Sequence, residues 1–164
     1  MSRELQYGFI AGLLTVGWIT VGYFMHWDDA EIGKYTPYLS LLILLVAIYI
    51  SILFKRDRDQ AGILSFKEAF ITGLSVSFIV GIMVGSLLMV YVKYVNPEYI
   101  EKMIVEISDY YKKQNATQQQ LDKGIEGVRA MYSPFGQFTY GIGTTMLIGL
   151  LISALAGWIM QRKK

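Results

Sequence analysis

A chain of 164 residues that is 54% hydrophobic, 17% charged and only +2 in net charge carries too little polar side chain to coat a soluble core. Ordinary soluble domains are roughly a quarter charged, and the mean hydropathy here is +0.40. The small positive balance argues against a nucleic-acid partner, and the absence of cysteine rules out a disulfide framework or a thiolate metal site.

The charges are confined to blocks. Residues 5–27, 35–54, 69–92 and 130–161 contain no Asp, Glu, Lys or Arg, and each run reaches the roughly 20 residues needed to cross a bilayer core at about 1.5 Å per residue. The expectation is an all-α membrane protein with four transmembrane helices at about 6–26, 37–54, 66–93 and 135–161. A single four-span membrane domain would then occupy 1–164, with a helical insert over 96–133. The apolar run from Tyr7 to Met25 is longer than a signal h-region and runs into Met25-His26-Trp27-Asp28-Asp29 without a small-x-small cleavage pattern, so it reads as the first span.

An even number of spans puts both termini on one side. Arg3, the loop residues Lys55, Arg56, Arg58 and Lys67, and the tail Arg162, Lys163 and Lys164 gather eight basic residues in short flanks. The other seven are Lys34 and six in segment 93–134, which six acids offset. Positive flanks stay cytoplasmic, so both termini are expected there. Ten of the twelve tyrosines fall at or beyond the opposite ends of the spans, as an interfacial aromatic belt would. Tyr23, Trp27, Tyr35, Tyr38, Tyr91, Tyr94, Tyr132 and Tyr140 make that outer belt, and Tyr7 with Trp158 the inner one.

Helix boundaries carry local signals. Thr36-Pro37 reads as a cap and a first-turn proline for span two, and Ser65-Phe66-Lys67-Glu68 as a capping box for span three. Asn96-Pro97-Glu98 reads as the start of a further helix, in which Ile100, Met103, Ile104, Ile107 and Tyr111 recur at helical spacing. Thr117-Gln118-Gln119-Gln120 reads as a second capping box, and Leu121, Ile125, Val128 and Tyr132 continue the stripe until Ser133-Pro134 stops it. Segment 96–133 is therefore expected to be an extracytoplasmic amphipathic helical hairpin between spans three and four. Its stripes either pack on each other and on the bundle or seat a partner protein. Asn115-Ala116-Thr117 also matches the glycosylation sequon, a pattern common by chance.

Lipid gives no hydrophobic gain for joining two apolar helices, so small residues that let backbones approach must hold a bundle together. Span three places Ala69, Gly73, Ser77, Gly81 and Gly85 at four-residue intervals, and span four does the same with Gly141, Thr145, Gly149, Ser153 and Gly157. These two stripes are the expected packing faces, and span one has a shorter Gly8-x-x-x-Gly12. Span two, rich in Leu and Ile with Ser40, Ala47 and Ser51 as its small residues, is expected to face lipid, Leu44 included.

No ionisable side chain lies inside the spans, where its cost would imply a function. The lone histidine, His26, reads as an interfacial residue, and Asp28, Asp29 and Glu31 as a solvated turn. Asp57-Arg58-Asp59 resembles a metal-binding pair but sits among Lys55, Arg56 and Arg58, where local ion pairs or an anionic-lipid contact fit better. With no Ser/His/Asp set, phosphate loop or HExxH pattern, an enzyme is not expected, nor any cofactor. Thr15, Thr20, Thr72, Ser75, Ser77, Ser86, Thr144 and Thr145 either line a path for a small neutral solute or hydrogen-bond within the bundle.

The combination of Tyr7-Gly8-x-x-x-Gly12, Lys55-Arg56-Asp57-Arg58, Ile63-Leu64-Ser65-Phe66-Lys67-Glu68-Ala69-Phe70, Pro97, Ser133-Pro134-Phe135 and a basic end resembles the bacterial integral-membrane family named domain of unknown function 4199. The resemblance covers nearly the whole chain. It implies a four-span inner-membrane protein and brings no catalytic residues. Membrane lipids are the expected partners, with a homo-oligomer or a membrane-protein complex besides. A scaffold or accessory subunit is the leading expectation, and a small oligomeric transporter or channel protomer for a neutral or lipid-like substrate is the alternative.

Overall fold

A computed structural model describes residues 3–25 and 35–161. The expectations that rest on His26, Trp27, Asp28, Asp29, Glu31 and Lys34, and on Arg162, Lys163 and Lys164, lie outside the described residues. Among the described residues six α-helices follow one another: α1 (Arg3–Phe24), α2 (Thr36–Phe54), α3 (Phe66–Val90), α4 (Tyr99–Lys113), α5 (Gln118–Tyr132) and α6 (Pro134–Met160). Helices α2 and α3 each widen at the end into a π-type turn, over Lys55–Asp59 and Tyr91–Val95. The segments Glu4–Phe24, Thr36–Asp59, Phe66–Val95 and Pro134–Met160 are long and apolar enough to cross a membrane.

The chain forms two compact units, which divide α3 after Val84 and α6 after Gly141. The first holds α1, α2, the start of α3 and the rest of α6. Its α1 and α2 run antiparallel: the indole nitrogen of Trp18 donates to the Thr36 carbonyl at 3.2 Å, Tyr7 stacks on Phe54 at 5.7 Å, and Lys55 pairs with Glu4 at 2.7 Å. α1 also lies along α3 in the same direction, because Gly8 opens a notch for Ile79 and, one turn on, Gly12 does so for Met83.

The connection from α2 to α3 is short and polar. Ala61 and Gly62 take left-handed backbone angles, φ 50° and 87°, and turn the chain. The capping box at Ser65 is present: Glu68 N donates to Ser65 Oγ at 3.3 Å, and the Glu68 carboxylate accepts from Ser65 N at 3.0 Å, from Ser65 Oγ at 2.6 Å and from Gln60 Nε2 at 2.7 Å. At the other end of α2 the helix begins at Thr36, one residue ahead of the expected start, and Tyr35 caps it without a side-chain bond.

Helix α2 is not the lipid-facing helix that its composition suggested. Leu44, Ala47, Ile48, Ser51 and Ile52 form a buried face, and Leu44 is only 4% exposed. α6 has the most open flank, with Leu147, Leu151, Leu155, Trp158 and Ile159 all exposed. Leu44→Ala is therefore expected to destabilise by about 2–4 kcal/mol, the usual cost of a buried Leu→Ala cavity. Leu45→Ala, on the exposed side, should change little. Thermal unfolding of the two variants in one detergent checks this, and equal shifts would contradict it.

The second unit spans Gly85–Gly141. Helices α4 and α5 pack against each other as a hairpin with a tightly specified tip. The Ala116 amide donates to the Tyr111 carbonyl and the Asn115 amide to that of Lys112, both at 3.1 Å, with Asn115 left-handed at φ 52°. That is a Schellman ending. Thr117 then starts α5 with a complete capping box to Gln120. At the start of α4, Asn96 is not the cap: Glu98 holds that position without a side-chain bond, while Asn96 Nδ2 donates to the Tyr91 hydroxyl at 3.3 Å.

Candidate functional site

Of the residues singled out in the sequence, those on α3 and α6 face one another in fixed register. In the first unit Gly73 meets Ser153, Ser77 meets Gly149, and Gly81 meets Ile142 and Thr145. A Cβ added at Gly81 would lie 3.2 Å from Ile142 Cα, and at Gly73 or Gly149 it would run into a serine side chain. The seam alternates, with a glycine of one helix receiving a serine of the other and then the reverse. Gly157, nearer the end of α6, is looser, its nearest neighbours being the ring and carbonyl of Phe66 at 3.4 Å.

In the second unit Gly85 and Gly141 approach backbone to backbone. A Cβ on Gly141 would stand 2.6 Å from Gly85 Cα and 2.7 Å from Gly85 N, and one on Gly85 would strike the Phe138 carbonyl oxygen. Dispersion between backbones at such distances is what small-residue stripes supply where lipid offers no hydrophobic drive.

Six helical hydroxyls turn back onto their own helix. Thr20, Ser40, Thr72, Ser77, Ser108 and Thr139 each donate to the carbonyl four residues earlier, at 2.6–3.3 Å. Thr15, Ser51 and Ser153 do not: these side chains are buried, at 3%, 0% and 0% exposure, and their oxygens have no hydrogen-bond partner. By sequence Thr15 stands among the solute-path candidates, and Ser51 and Ser153 among the small residues. Nothing in a hydroxyl's sequence position separates it from its back-bonded neighbours, because the side-chain rotamer decides.

The hairpin stripe is half-buried throughout: Ile100, Met103, Ile104, Ile107, Leu121, Ile125 and Val128 all keep partial exposure, and neither helix has a fully buried residue. Gly124 lets the ring of Tyr111 lie against α5, and Arg129 reaches Glu101 at 3.7 Å. At the base, Tyr99 sits edge-on between Tyr91 at 6.2 Å and Tyr132 at 5.5 Å. Such aromatic pairs are worth about 0.5–1.5 kcal/mol each beyond their buried area. The sequence marked Tyr91 and Tyr132 as belt residues; their shared contact with Tyr99 had no local signal, being a matter of tertiary register.

At the loop end of α2, Asp57 is held by Arg56 at 2.6 Å and the Arg58 guanidinium lies 5.4 Å over the Phe54 ring. Asp57 and Arg58 are thus engaged locally. Among the described residues no group of three or more His, Cys, Asp or Glu converges as a metal site would. No curated protein and no solved structure matches the chain. The family model described as Protein of unknown function (DUF4199) matches residues 6–162, and with nearly its whole length covered the chain belongs to that family.

Proposed function

We propose that this chain is a non-enzymatic, multi-pass protein of a bacterial inner membrane, with both termini cytoplasmic and the α4–α5 hairpin outside, acting as a scaffold or accessory subunit of an envelope complex. The observation that carries this reading is the hairpin's construction. It is stiffened by a Schellman tip, a full capping box and a tyrosine base, yet its apolar stripe is left half-open. A rigid helical face with unspent apolar surface is a low-entropy seat for another helix or protein. Membrane lipids supply the remaining contacts, around the open flank of α6.

Two experiments test it. A photo-crosslinking residue at Leu121, on the stripe, should give a discrete adduct in cells to one membrane protein or to a second copy, and one at Lys123, on the exposed side, should not. Adducts of equal yield, or none at Leu121, would remove the docking reading. Orientation has its own measurement: alkaline phosphatase joined after Asn115 should be active and joined after Gln60 inactive, the reverse pattern overturning the charge argument.

A second reading, an oligomeric transporter or channel protomer for a neutral or lipid-like substrate, draws on the unpartnered hydroxyls of the first unit. Mass measurement in nanodiscs separates the two. Five or more protomers favour the transporter, and a monomer or a defined hetero-complex favours the scaffold.

A further inference from the structure

We propose that Ser51 and Ser153 hold between them a small neutral hydrogen-bonding molecule, water or a small alcohol, at the junction of α2, α3 and α6. The junction is defined by Gly73. A Cβ built there would meet Ser153 Oγ from α6 and, at 2.9 Å, Ile48 Cγ2 from α2. Ser51 stands three residues beyond Ile48, on the same face of α2 and about one turn nearer the loop end of the helix. At that level α3 contributes Ala69, fully buried, and α6 contributes Gly157, four residues beyond Ser153.

Ser51, Ala69 and Gly157 are the small residues there, with the Phe66 ring of α3 lying against Gly157. The packing also relaxes: a Cβ would be crowded at Gly73 but would find only ordinary contacts at Gly157. Small residues alone would make this a packing seam, and the hydroxyls are what mark it as a site. Both are 0% exposed and unpartnered, although the carbonyls of Ala47 and Gly149 stand four residues back, in the position that six other hydroxyls of this chain use. A buried hydroxyl aimed away from its own carbonyl is costly unless something in the interior accepts and donates. Two of them, on different helices at neighbouring levels, fit one ligand with the two to four polar partners that an internal water needs. The ligand is neutral, since no ionisable side chain stands among Ile48, Ser51, Ala69, Thr72, Gly73, Ser153 and Gly157. The site belongs to the first unit and does not depend on what the hairpin does.

The full chain in lipid nanodiscs tests this by X-ray hydroxyl-radical footprinting, which oxidises buried side chains only where bound water supplies the radical. Ile48 and Ile52, both 0% exposed, should be labelled well above the buried Val76 and Val80 once intrinsic reactivities are normalised. Ser51→Ala and Ser153→Ala should lose that labelling and melt lower than the parent. Ser77→Ala, whose hydroxyl is satisfied by the Gly73 carbonyl, should keep it. Glycerol that raises the melting temperature of the parent but not of the double-alanine variant identifies a small alcohol as occupant, and equal shifts identify water. Labelling of Ile48 and Ile52 no stronger than that of the valines, or alanine variants melting at or above the parent, overturns the proposal, because deleting a truly unsatisfied hydroxyl relieves a cost.

Discussion

Gly141→Ala is expected to cost about 3 kcal/mol, lowering the melting temperature by roughly 6–12 °C, whereas Gly143→Ala, two residues along the same helix, should leave it unchanged or slightly raised. Both substitutions replace glycine by alanine in the middle of α6, so both gain the same helix propensity, up to about 1 kcal/mol. They differ in what the new methyl meets. At Gly143 there is nothing within 4 Å. At Gly141 the methyl would press on Gly85 Cα and N, at 2.6 and 2.7 Å, and a backbone in mid-helix cannot swing aside as a side chain would. The helices must move apart there and lose close contact along several turns. Gly81→Leu and Gly149→Leu should act in the same direction, against Ile142 and Ser77. Thermal unfolding in a single detergent reads all four variants, and equal shifts at 141 and 143 would refute backbone packing as the force that joins α3 to α6.

That contrast also shows what the sequence could and could not tell. Four-residue spacing of Gly, Ser and Thr is a geometric statement about one helix face, so two such series on neighbouring spans already named the surfaces that meet. The register between them depends on which serine fits which glycine, and that is a property of two helices at once. Capping boxes at Ser65 and Thr117 were equally legible, because donor, acceptor and spacing all lie within four residues. Burial of α2 was not. A helix that is apolar on every side shows no contrast between lipid and interior, so Leu44, buried, and Leu45, exposed, look alike until Ile48 is seen lodged against Gly73. Asn96 failed for a related reason: its amide has a better partner in the Tyr91 hydroxyl than in the first turn of α4, and no local pattern reports that competition.

The corner between α5 and α6 should be the hairpin's most sensitive point. Pro134 forces Ser133 into an extended conformation, ψ 156°, so one helix stops and the next begins within a single residue. Ser133 bridges the break by donating to the Ala130 carbonyl at 2.7 Å and accepting from Gly136 N at 3.0 Å, while Gln137 Nε2 donates to the Met131 carbonyl at 3.1 Å. The bare Cα of Gly136 makes this compact. A Cβ there would collide with the Ala130 carbonyl oxygen and come within 2.6 Å of that of Met131. Gly136→Ala therefore has to push the last turn of α5 outward and break the bonds from Ser133 and Gln137. About 2 kcal/mol of overpacking and about 1 kcal/mol for each lost hydrogen bond are at stake. Displacing Tyr132 also removes its edge contact with Tyr99 at the hairpin base. Amides from Val128 to Ser133 should exchange with deuterium markedly faster in this variant than in the parent. Gly127→Ala, which meets nothing within 4 Å, should leave them as they are. If the hairpin seats a partner, Gly136→Ala should also weaken the Leu121 crosslink without touching a stripe residue. Unchanged exchange in Gly136→Ala would mean that the corner does not hold the hairpin in place.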